Sequence, residues 1–412
     1  MKKYVVMFKG GVETQEYFSM KMAERFEELG YEVYWYDLIV SGQSARLLRR
    51  FYEEVMSAEL NTEIIIFTFN FNGIAGEEGL YGSEYRSGSF WNDTGLPVYN
   101  MVVDHPLYYH KYMPLLPANY YQISIDRDHV QYMKEYFPNV RLWGEDGFLP
   151  LGGTEINKDG KIMPDMRYLP MEKRPIDVIF TGNYTPPERF EKYLAHMEPE
   201  YREVYHMLVE DAVNNTDTLI TDLLKARFAD ENPTKDELRA IMPNMMYVDL
   251  SVRFHYRAKV IAALADSGIK VHTFGAGWNL LECRHPENII MAGSVDSLEC
   301  LDMISQSKLS VNVMPWFKNG AHDRIFNSML NGAVSVSDTS RYLLEEFKDN
   351  EDIVFYSLGD IENLGERLAE LLKNPDKMQG IADMAYEKCK ASHTWEKRVD
   401  ELLRYADFMR TH

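Results

Sequence analysis

Cysteine is scarce in this sequence of 412 residues, which contains three. Cys283, Cys300 and Cys389 lie far apart, and no CxxC pair or Cys/His spacing typical of zinc ligands occurs. This scarcity argues against a disulfide framework and against a structural zinc site, and it fits a reducing compartment. We therefore expect a cytoplasmic protein with no bound metal.

Long apolar runs are lacking as well. The first one, YVVMF, has five residues between Lys3 and Lys9 and is too short for a secretory signal peptide. No stretch approaches the roughly 20 apolar residues that a helix needs to span a bilayer. The sequence therefore predicts a soluble protein without a transmembrane segment.

Basic residues are outnumbered, because Lys and Arg total 44 against 64 Asp and Glu, a net charge of −20. So acidic a surface repels the phosphates of nucleic acids and anionic lipids, and we expect no nucleic-acid partner. Hydrophobic residues make up 45% and charged residues 26%, which is typical of a globular protein. At roughly 100–200 residues per domain, the length allows two or three domains.

Short β-rich runs alternate with helical patterns in both halves of the sequence, whereas residues 144–175 between them are rich in Gly and Pro. This alternation predicts an α/β fold with two Rossmann-like, doubly wound domains. We place the first domain at 1–150, a linker at 151–175 and the second domain at 176–412. A long helical region is expected at roughly 188–242. The predicted strands are Tyr4–Phe8, Tyr31–Leu38, Ile64–Phe69, Val98–Val103, Tyr120–Ile125, Asp177–Thr181, Lys270–Phe274, Asn288–Met291, Leu309–Met314 and Ala333–Ser337.

Open parallel sheets bind ligands at the loops that leave the carboxyl ends of their strands, and glycines gather in these loops here. A Gly-Gly pair follows the first predicted strand, where the backbone either approaches a phosphate beside a helix N-terminus or forms a plain tight turn. A G-x-G follows Lys270–Phe274, but Leu280 occupies the third glycine position of the dinucleotide fingerprint, so NAD and FAD are not expected. The loop candidates for ligand contact are Gly10, Gly11, Gly182, Asn183, Gly275 and Gly277.

The segment Asn319–Asn327, NGAHDRIFN, carries the densest group of chemically useful residues. It connects a predicted strand to a helix, and the loop at Gly320 with the helix N-terminus would offer N–H groups to an anion. His322 and Arg324 would add charge-assisted donors suited to a diphosphate. The alternative is a surface helix on which Arg324 pairs with a nearby Asp or Glu.

Asp104 and His105 follow the predicted strand Val98–Val103, directly before Pro106. A carboxylate and an imidazole at this place could act as a general base with its neighbour, or could bind sugar hydroxyls. The alternative is a helix start, with Asp104 as the N-cap of a segment that begins near Pro106. The residue pattern leaves both readings open.

The second half of the sequence resembles the C-terminal glycosyltransferase-like domain of the CgeB spore-protein group, over roughly 177–405. That domain has an R-x6-L-x3-G helix, a strand with Lys and Asn, an R-x-F/I-E helix, a Gly-Ala pair, a strand that ends in Thr/Ser-Asp, and an H-T-aromatic-x2-R ending. The first half agrees less specifically, through Asn70 and the segment 103–106. The matching residues of the second half are Arg257, Leu264, Gly268, Gly275, Gly277, Trp278, Lys308, Asn312, Arg324, Phe326, Gly332, Ala333, Ser337, Asp338, His393, Thr394, Trp395 and Arg398.

The resemblance implies the GT-B architecture, in which two Rossmann-like domains face each other across a cleft and the last helix, here near Trp395–Arg410, often returns to the first domain. In such enzymes the second domain holds a nucleoside-diphosphate sugar, the first presents the acceptor, and cationic groups replace a metal ion. Asn319 and Asn327 stand where the wider retaining group has two glutamates, and we assign them to hydroxyls of the sugar or the ribose. The donor-binding residues are then Gly10, Gly11, Gly182, Asn183, Gly275, Gly277, Asn319, Gly320, His322, Arg324 and Asn327.

The resulting hypothesis is a metal-independent hexosyltransferase that needs no cofactor besides its nucleoside-diphosphate sugar. The acceptor would be a hydroxyl of a glycan, a protein or a small molecule, and a homo-oligomer stays open. His322, and Asp104 or His105 on the acceptor side if the reaction inverts, are the catalytic candidates. A retaining reaction would need no such base. The alternatives are a nucleotide-sugar epimerase and a noncatalytic module that binds nucleotide sugars.

Overall fold

The computed structural model describes residues 2–58 and 62–411. Contacts divide the chain into two compact units, which we call the first unit (Met1–Leu151 with Trp395–His412) and the second unit (Gly152–Thr394). The strands are β1 (Lys2–Lys9), β2 (Tyr31–Asp37), β3 (Thr62–Phe69), β4 (Val98–Val102), β5 (Tyr120–Ser124), β6 (Ile176–Thr181), β7 (Val271–Phe274), β8 (Ile289–Gly293), β9 (Ser307–Asn312), β10 (Val334–Asp338) and β11 (Val354–Tyr356). The α-helices are α1 (Glu13–Glu28), α2 (Ser41–Ala58), α3 (Phe90–Thr94), α4 (Arg127–Tyr136), α5 (Glu191–Leu194), α6 (Pro199–Asn214), α7 (Ile220–Arg227), α8 (Lys235–Ile241), α9 (Met246–Asp266), α10 (Ser297–Ser305), α11 (Asp323–Leu330), α12 (Arg341–Glu346), α13 (Leu364–Leu372), α14 (Pro375–Ser392) and α15 (Trp395–Thr411).

The sheet of the first unit has five parallel strands in the order β2-β1-β3-β4-β5. Its central strands are covered on both faces, so Val5 and Val6 of β1 and Ile65 and Ile66 of β3 are fully buried. Burial on both faces explains why these segments read as continuous apolar runs and not as alternating ones.

α15 packs in the first unit, although most of its neighbours in sequence belong to the second. The ring of Trp395 lies 4.7 Å from that of Phe18 on α1, measured between centroids. On the same pair of helices, Arg25 donates to Asp400 at 2.8 Å. An aromatic contact and an ion pair thus fix the last helix on α1.

The sheet of the second unit has six parallel strands in the order β11-β10-β9-β6-β7-β8. All ten predicted strands occur in the two sheets, with ends that differ from the predicted ones by at most two residues. The doubly wound α/β prediction is therefore confirmed. β11 was not predicted, because three apolar residues are too short a run to distinguish a strand.

The connection from β6 to β7 is helical over the predicted region 188–242, where it consists of the separate helices α5 to α8, and α9 follows them. Pro199 begins α6, and Asn232 adopts a left-handed φ of 48° before α8. Thr234 then forms a capping box with Glu237. The proline and the N-cap begin new helices and the left-handed asparagine ends one, and periodicity alone did not resolve these boundaries.

Residues 152–175, predicted as a linker from their composition, lie within the second unit. The Asn157 amide holds this irregular segment, because it accepts from Ile162 N at 2.8 Å and donates to Met166 O at 2.9 Å. Buried Arg174 donates to the carbonyl of Ser307 at 2.7 Å. Side chains therefore provide hydrogen-bond partners for backbone N–H and C=O groups that lie outside the sheets and helices. None of the helices in the described part of the chain is both long and apolar enough to cross a membrane.

Candidate functional site

Three charged side chains of α9 are spaced four residues apart, at Asp249, Arg253 and Arg257. Residues four apart share one face of a helix, so α9 presents one carboxylate followed by two guanidinium groups. Arg253 donates to Asp249 at 2.9 Å, and only 2% of the Asp249 side chain is exposed. Arg257, the last residue of this stripe, is more deeply buried than Arg253.

Arg257 is 5% exposed, which is unusual for a guanidinium. Its Nη1 donates to Asn183 O at 2.6 Å, and its charged end lies over the rings of Phe180 and Phe254. Its Nε has no hydrogen-bond partner among the described residues. Burial, followed by the charges of Arg324 and Arg253, holds the pKa of Arg257 well below its usual range.

Arg324 lies in the first turn of α11, at the carboxyl edge of the same sheet. Its Nη1 donates to the side-chain oxygen of Asn312 at 3.1 Å. Burial lowers the pKa of Arg324, Asp323 opposes that change, and Arg253 adds to it. Among the described residues Arg324 forms no ion pair, so the surface helix with a paired arginine, weighed above, is not what the structure shows.

His322 precedes α11 in the N-cap position, but its side chain makes no capping bond. Its Nδ1 is buried without a hydrogen-bond partner in the described chain, and its ring lies edge-on to Phe317 with centroids 4.5 Å apart. Burial lowers the pKa of His322 far below its usual range, and Arg324, Arg253 and Arg257 lower it further. The imidazole is therefore neutral in this environment.

Three guanidinium groups and an imidazole thus influence one another at a single sheet edge. Arg253 has Asp249 as its partner, whereas Arg257 and Arg324 form no ion pair among the described residues. Like charges buried together without a counter-ion are costly unless an anion joins them. Arginine forks are suited to phosphate oxygens, so the arrangement indicates a phosphate or diphosphate site. We call Arg253, Arg257 and Arg324, together with the neutral His322 beside them, the cationic cluster.

The sequence analysis did not predict a site role for Arg253. It named Arg257 only among the residues that resemble the CgeB-like domain. The available signal was the i, i+4, i+8 spacing of charged residues in a helix whose other positions are mostly apolar. That spacing placed the residues on one face, but it did not show that the face meets the loop after β6, where the carbonyl of Asn183 accepts from Arg257.

The loop between β9 and α11 is tied to the segment that follows β10. Asp338 accepts from Met314 N at 2.9 Å, and Ser340 donates to the carbonyl of Gly320 at 2.7 Å. Burial raises the pKa of Asp338 to about 7, and the N–H of Met314 and the charge of Lys318 oppose that rise. These bonds fix the loop that leads into His322 and Arg324.

The glycines that follow β6 and β7 serve loop packing. A Cβ on Gly275 would lie 2.5 Å from the carbonyl oxygen of Gly182, and one on Gly277 would lie 2.0 Å from another carbonyl of the same loop. Asn183 supplies the carbonyl that Arg257 uses. These four predicted donor residues therefore support the cationic cluster by letting two loops approach closely, and their direct contact with a donor stays a prediction.

The two asparagines of the predicted hydroxyl set differ. Asn327 accepts from Thr154 N at 2.8 Å and donates to Asp323 at 2.9 Å, so both ends of its amide are engaged within the protein. One N–H and one lone pair of the amide are thus used within the protein, and the assignment of Asn327 to a donor hydroxyl stays a prediction. Asn319 is half-buried beside Gly320, and its role stays a prediction.

Comparisons with known proteins now bear on this geometry. Residues 257–404, which include most of the cationic cluster, match the family model described as glycosyl transferase-like. Sucrose-phosphate synthase of Thermosynechococcus elongatus aligns over 100% of both chains with a TM-score of 0.51 and 9% identity. A glycosyltransferase of Rickettsia africae gives the same values, and AviGT4, involved in avilamycin A biosynthesis, covers 99% of this chain and 98% of its own with a TM-score of 0.50 and 11% identity.

The chain has the GT-B fold. At such low identities the solved structures establish the fold alone. The family model adds that the C-terminal part of this GT-B chain is glycosyltransferase-like. Among curated proteins none matches the sequence significantly.

In the first unit of this GT-B chain, the loop after β1 lies among carboxylates. Glu16 accepts from Gly10 N at 2.8 Å, which occupies an N–H that a phosphate would need. A Cβ on Gly10, whose φ is +80°, would lie 2.8 Å from a carboxylate oxygen of Asp37. The surroundings of Gly10 and Gly11 therefore favour the tight turn over the predicted diphosphate contact.

Asp104 is held by two donors. The Asn70 amide donates to its Oδ2 at 3.0 Å, and the Tyr109 hydroxyl donates to the same oxygen at 2.9 Å. Asn70 and Phe71 both have left-handed φ values, 46° and 66°, which cost energy for residues other than glycine. Strained backbone thus orients Asp104 at the carboxyl edge of its sheet.

His105, and not Asp104, caps the helical segment that starts at Pro106. Its Nδ1 accepts from Leu107 N at 3.1 Å, and its ring lies 4.5 Å from that of His129. Burial holds the pKa of His105 well below its usual range, and His129 and His110 lower it further. The occupied Nδ1 and the lowered pKa, which makes the imidazole a weaker base, favour a structural role for His105, and its role as a base stays a prediction.

Proposed function

We propose that the protein transfers a sugar from a nucleoside-diphosphate sugar to an acceptor hydroxyl. The observation that carries this proposal is the cationic cluster, in which Arg257 and Arg324 have no ion-pair partner among the described residues. A diphosphate would supply the missing negative charge. The glycosyl transferase-like family match over 257–404 supports the same reaction class.

The cluster can stabilise the leaving group. When the bond between sugar and phosphate breaks, negative charge grows on the diphosphate, and preorganised donors lower the energy of that state. Arg324 and the first N–H groups of α11 would contact the phosphate oxygens, and Arg257 would neutralise charge from the opposite side. We therefore propose a metal-independent reaction, because arginines and a helix N-terminus supply the positive charge that a metal would bring.

Asp104 is the better acceptor-side candidate of the two predicted residues. Its Oδ2 is oriented by Asn70 and Tyr109, and among the described residues its Oδ1 has no hydrogen-bond partner. A carboxylate so placed can accept the proton of an attacking hydroxyl if the reaction inverts. A retaining reaction would leave Asp104 as an acceptor-binding residue.

The finer parts of the hypothesis remain proposals as well. We propose a hexose as the transferred sugar, a cytoplasmic location, membership of the CgeB-like group, and an acceptor hydroxyl on a glycan, a protein or a small molecule. That the two units face each other across a cleft and that the protein forms homo-oligomers stay predictions.

One experiment separates the proposed function from its alternatives. The protein is incubated with a panel of nucleotide sugars, without acceptor and in the presence of EDTA. Slow release of nucleoside diphosphate is expected of a transferase, and it should disappear in Arg324→Ala. A changed sugar on an intact nucleotide would show an epimerase instead. Binding without any turnover would show a noncatalytic module, which the engaged Asn327 amide would then explain.

A further inference from the structure

The two sheets of the described chain have four outer strands, β2 and β5 in the first unit and β8 and β11 in the second. An outer strand presents backbone N–H and C=O groups on its open side. Another chain can pair with these groups unless the strand is covered or carries charge. Three of the four strands are protected in one of these ways, and β8 is the exception.

The three protected strands differ in how they are closed. β2 contains the charged residues Glu32 and Asp37. The open side of β5 pairs with the segment that follows α4, where Gln122 N donates to Arg141 O at 2.9 Å. All three residues of β11 are buried. A further strand could join these three only by displacing a contact or by approaching a charge.

β8 is uncharged and open. Its sequence IIMAG contains no proline and no charged residue, and its first residue alone is buried. Ile290 is 37% exposed and Met291 is 55% exposed. Because successive side chains of a strand point to opposite faces of the sheet, β8 is uncovered on both faces. The strand that pairs with it in the described chain is β7, which leaves its other side open.

The regular part of β8 is short. Its ladder with β7 shifts register after Met291, and Gly293 adopts a left-handed φ of 80° there. A bulge of this kind bends a strand and interrupts its pairing. A partner strand would therefore be centred near Ile290.

We propose that β8 is a homodimer interface, at which β8 of a second copy pairs antiparallel about a twofold axis near Ile290. A twofold axis perpendicular to the sheet sets two copies of one outer strand antiparallel, so that the two sheets join. The strand then faces its own sequence, which an uncharged strand allows and a charged one resists. The inference does not use the cationic cluster and is independent of the proposed function.

The residues that flank β8 favour a second copy as the partner. Arg284 and Asp296 lie equally far from Ile290 in sequence, on its two sides. Antiparallel pairing centred on Ile290 brings Arg284 of each copy toward Asp296 of the other, which is electrostatically favourable. Arg284 is free to reach a partner because 80% of its side chain is exposed, although its Nε also donates to Asp266 at 3.1 Å. Asp296 is exposed as well.

Sedimentation velocity and hydrogen exchange of the full chain test the inference. A short strand pair buries less than the roughly 800 Å² per partner of a standard interface, so we expect dissociation in the micromolar range. As the concentration passes through that range, the weight-average mass should rise from the 48.1 kDa of one chain toward twice that value. The backbone amides of β8 should exchange more slowly over the same range, because pairing protects them.

Ile290→Lys places two lysines against each other at the axis. It should raise the dissociation constant about tenfold or more, because like charges then meet where two apolar side chains were buried. Leu344→Lys is the matched control, since Leu344 is an apolar residue of the same unit with 57% exposure, and it should leave the dimer unchanged. Both positions are exposed, so both variants should melt like the wild type.

A charge exchange tests the register of the pairing. Arg284→Asp and Asp296→Arg each bring like charges together and should each weaken the dimer roughly three- to fivefold. The double variant restores opposite charges and should recover the dissociation constant of the wild type. A purely structural effect, such as loss of the cap that Asp296 provides for α10, would persist in the double variant.

Two results would overturn the inference. If the wild type keeps the mass of one chain throughout the micromolar range, β8 does not pair with its own copy and is open to a strand of another protein instead. If a dimer forms but Ile290→Lys leaves it intact, with amide exchange of β8 independent of concentration, another surface holds the two copies together.

Discussion

The carboxyl edges of the two sheets differ in charge, although glycines follow a strand at both. In the first unit Glu16 occupies the N–H of Gly10, and Asp37 lies beside that glycine. In the second unit Arg257 and Arg324 lie at the edge without ion-pair partners among the described residues. A glycine loop next to a strand therefore does not define an anion site, because the charges around it decide what it can bind.

The source of the charge also differs between the units. The arginines of the second unit come partly from α9, which precedes β7 and follows a helical insertion, and not from the loop after a strand. α6 of that insertion packs on α9, where the Tyr205 hydroxyl and the Ser251 hydroxyl lie 2.5 Å apart. The long connection thus positions the face that carries Arg253 and Arg257.

The largest expected effect comes from Arg324→Ala, which removes a positive charge from the sheet edge of the second unit and so reduces its difference from the first unit. Losing a charged hydrogen-bond partner costs about 1.5–3 kcal/mol, so the affinity for nucleoside diphosphate should fall roughly 10- to 150-fold. The melting temperature should change little, since Arg324 forms no ion pair among the described residues. Calorimetric titration and thermal melting measure both quantities.

Arg239→Ala is the matched control, because Arg239 is an exposed arginine of the same unit that pairs with Asp236 at 2.9 Å. It should leave the affinity unchanged. An Arg324→Ala protein that melts early and binds normally would mean that Arg324 is structural and that the donor site lies elsewhere.

Arg257→Met should separate stability from function. Replacing buried charged groups by well-packed apolar side chains of similar volume is often neutral, or stabilises a protein by about 1–4 kcal/mol, because the desolvation penalty disappears. Arg257 is surrounded by Phe180 and Phe254 and repelled by Arg324 and Arg253, so the variant should melt at a higher temperature. Nucleoside diphosphate should bind at least about tenfold more weakly, for the same reason as in Arg324→Ala. A lower melting temperature would show that Arg257 Nη1 and the Asn183 carbonyl stabilise the fold.

A smaller effect is expected at Asp338, whose pKa burial raises to about 7. The folded chain keeps this proton up to about pH 7, whereas the unfolded chain releases it near pH 4. The free energy of unfolding should therefore fall between pH 4 and pH 7 and then level off. Asp338→Asn can still accept from Met314 N, so it should match the wild type near pH 4 and exceed it by about 2–4 kcal/mol at pH 8.

Melting temperatures at pH 5 and pH 8 test this expectation, with Asp376→Asn, at an exposed position, as control. The sign is informative, since a salt-bridged carboxylate would give the opposite trend. A difference between Asp338→Asn and wild type that does not grow with pH would contradict the ionisation of Asp338 near neutrality.

The sequence predicted the alternation of strands and helices well, because buried parallel strands leave long apolar runs such as Ile64–Phe69. It predicted Arg324 and Gly320 at one edge for a similar reason, since neighbours in sequence stay neighbours in space. It did not predict that Asn327 would bind Thr154, or that Arg253 would lie near Arg324, because these contacts join segments that are distant in the chain. Side-chain partners of this kind leave no local pattern.

The smallest expected effect is at the first unit, where Glu16→Gln removes the carboxylate that accepts from Gly10 N. If the loop at Gly10 and Gly11 is a tight turn, the affinity for nucleoside diphosphate should change by less than about twofold, the range of a surface substitution away from a site. If that loop contacts the diphosphate as the sequence predicted, removal of a competing negative charge should tighten binding markedly. Titration of Glu16→Gln beside Arg324→Ala therefore compares the two edges directly. If Glu16→Gln binds nucleoside diphosphate tenfold more tightly, the phosphates bind at the loop of the first unit. The neutral amide of this variant could still accept from Gly10 N, but it would no longer repel the phosphates.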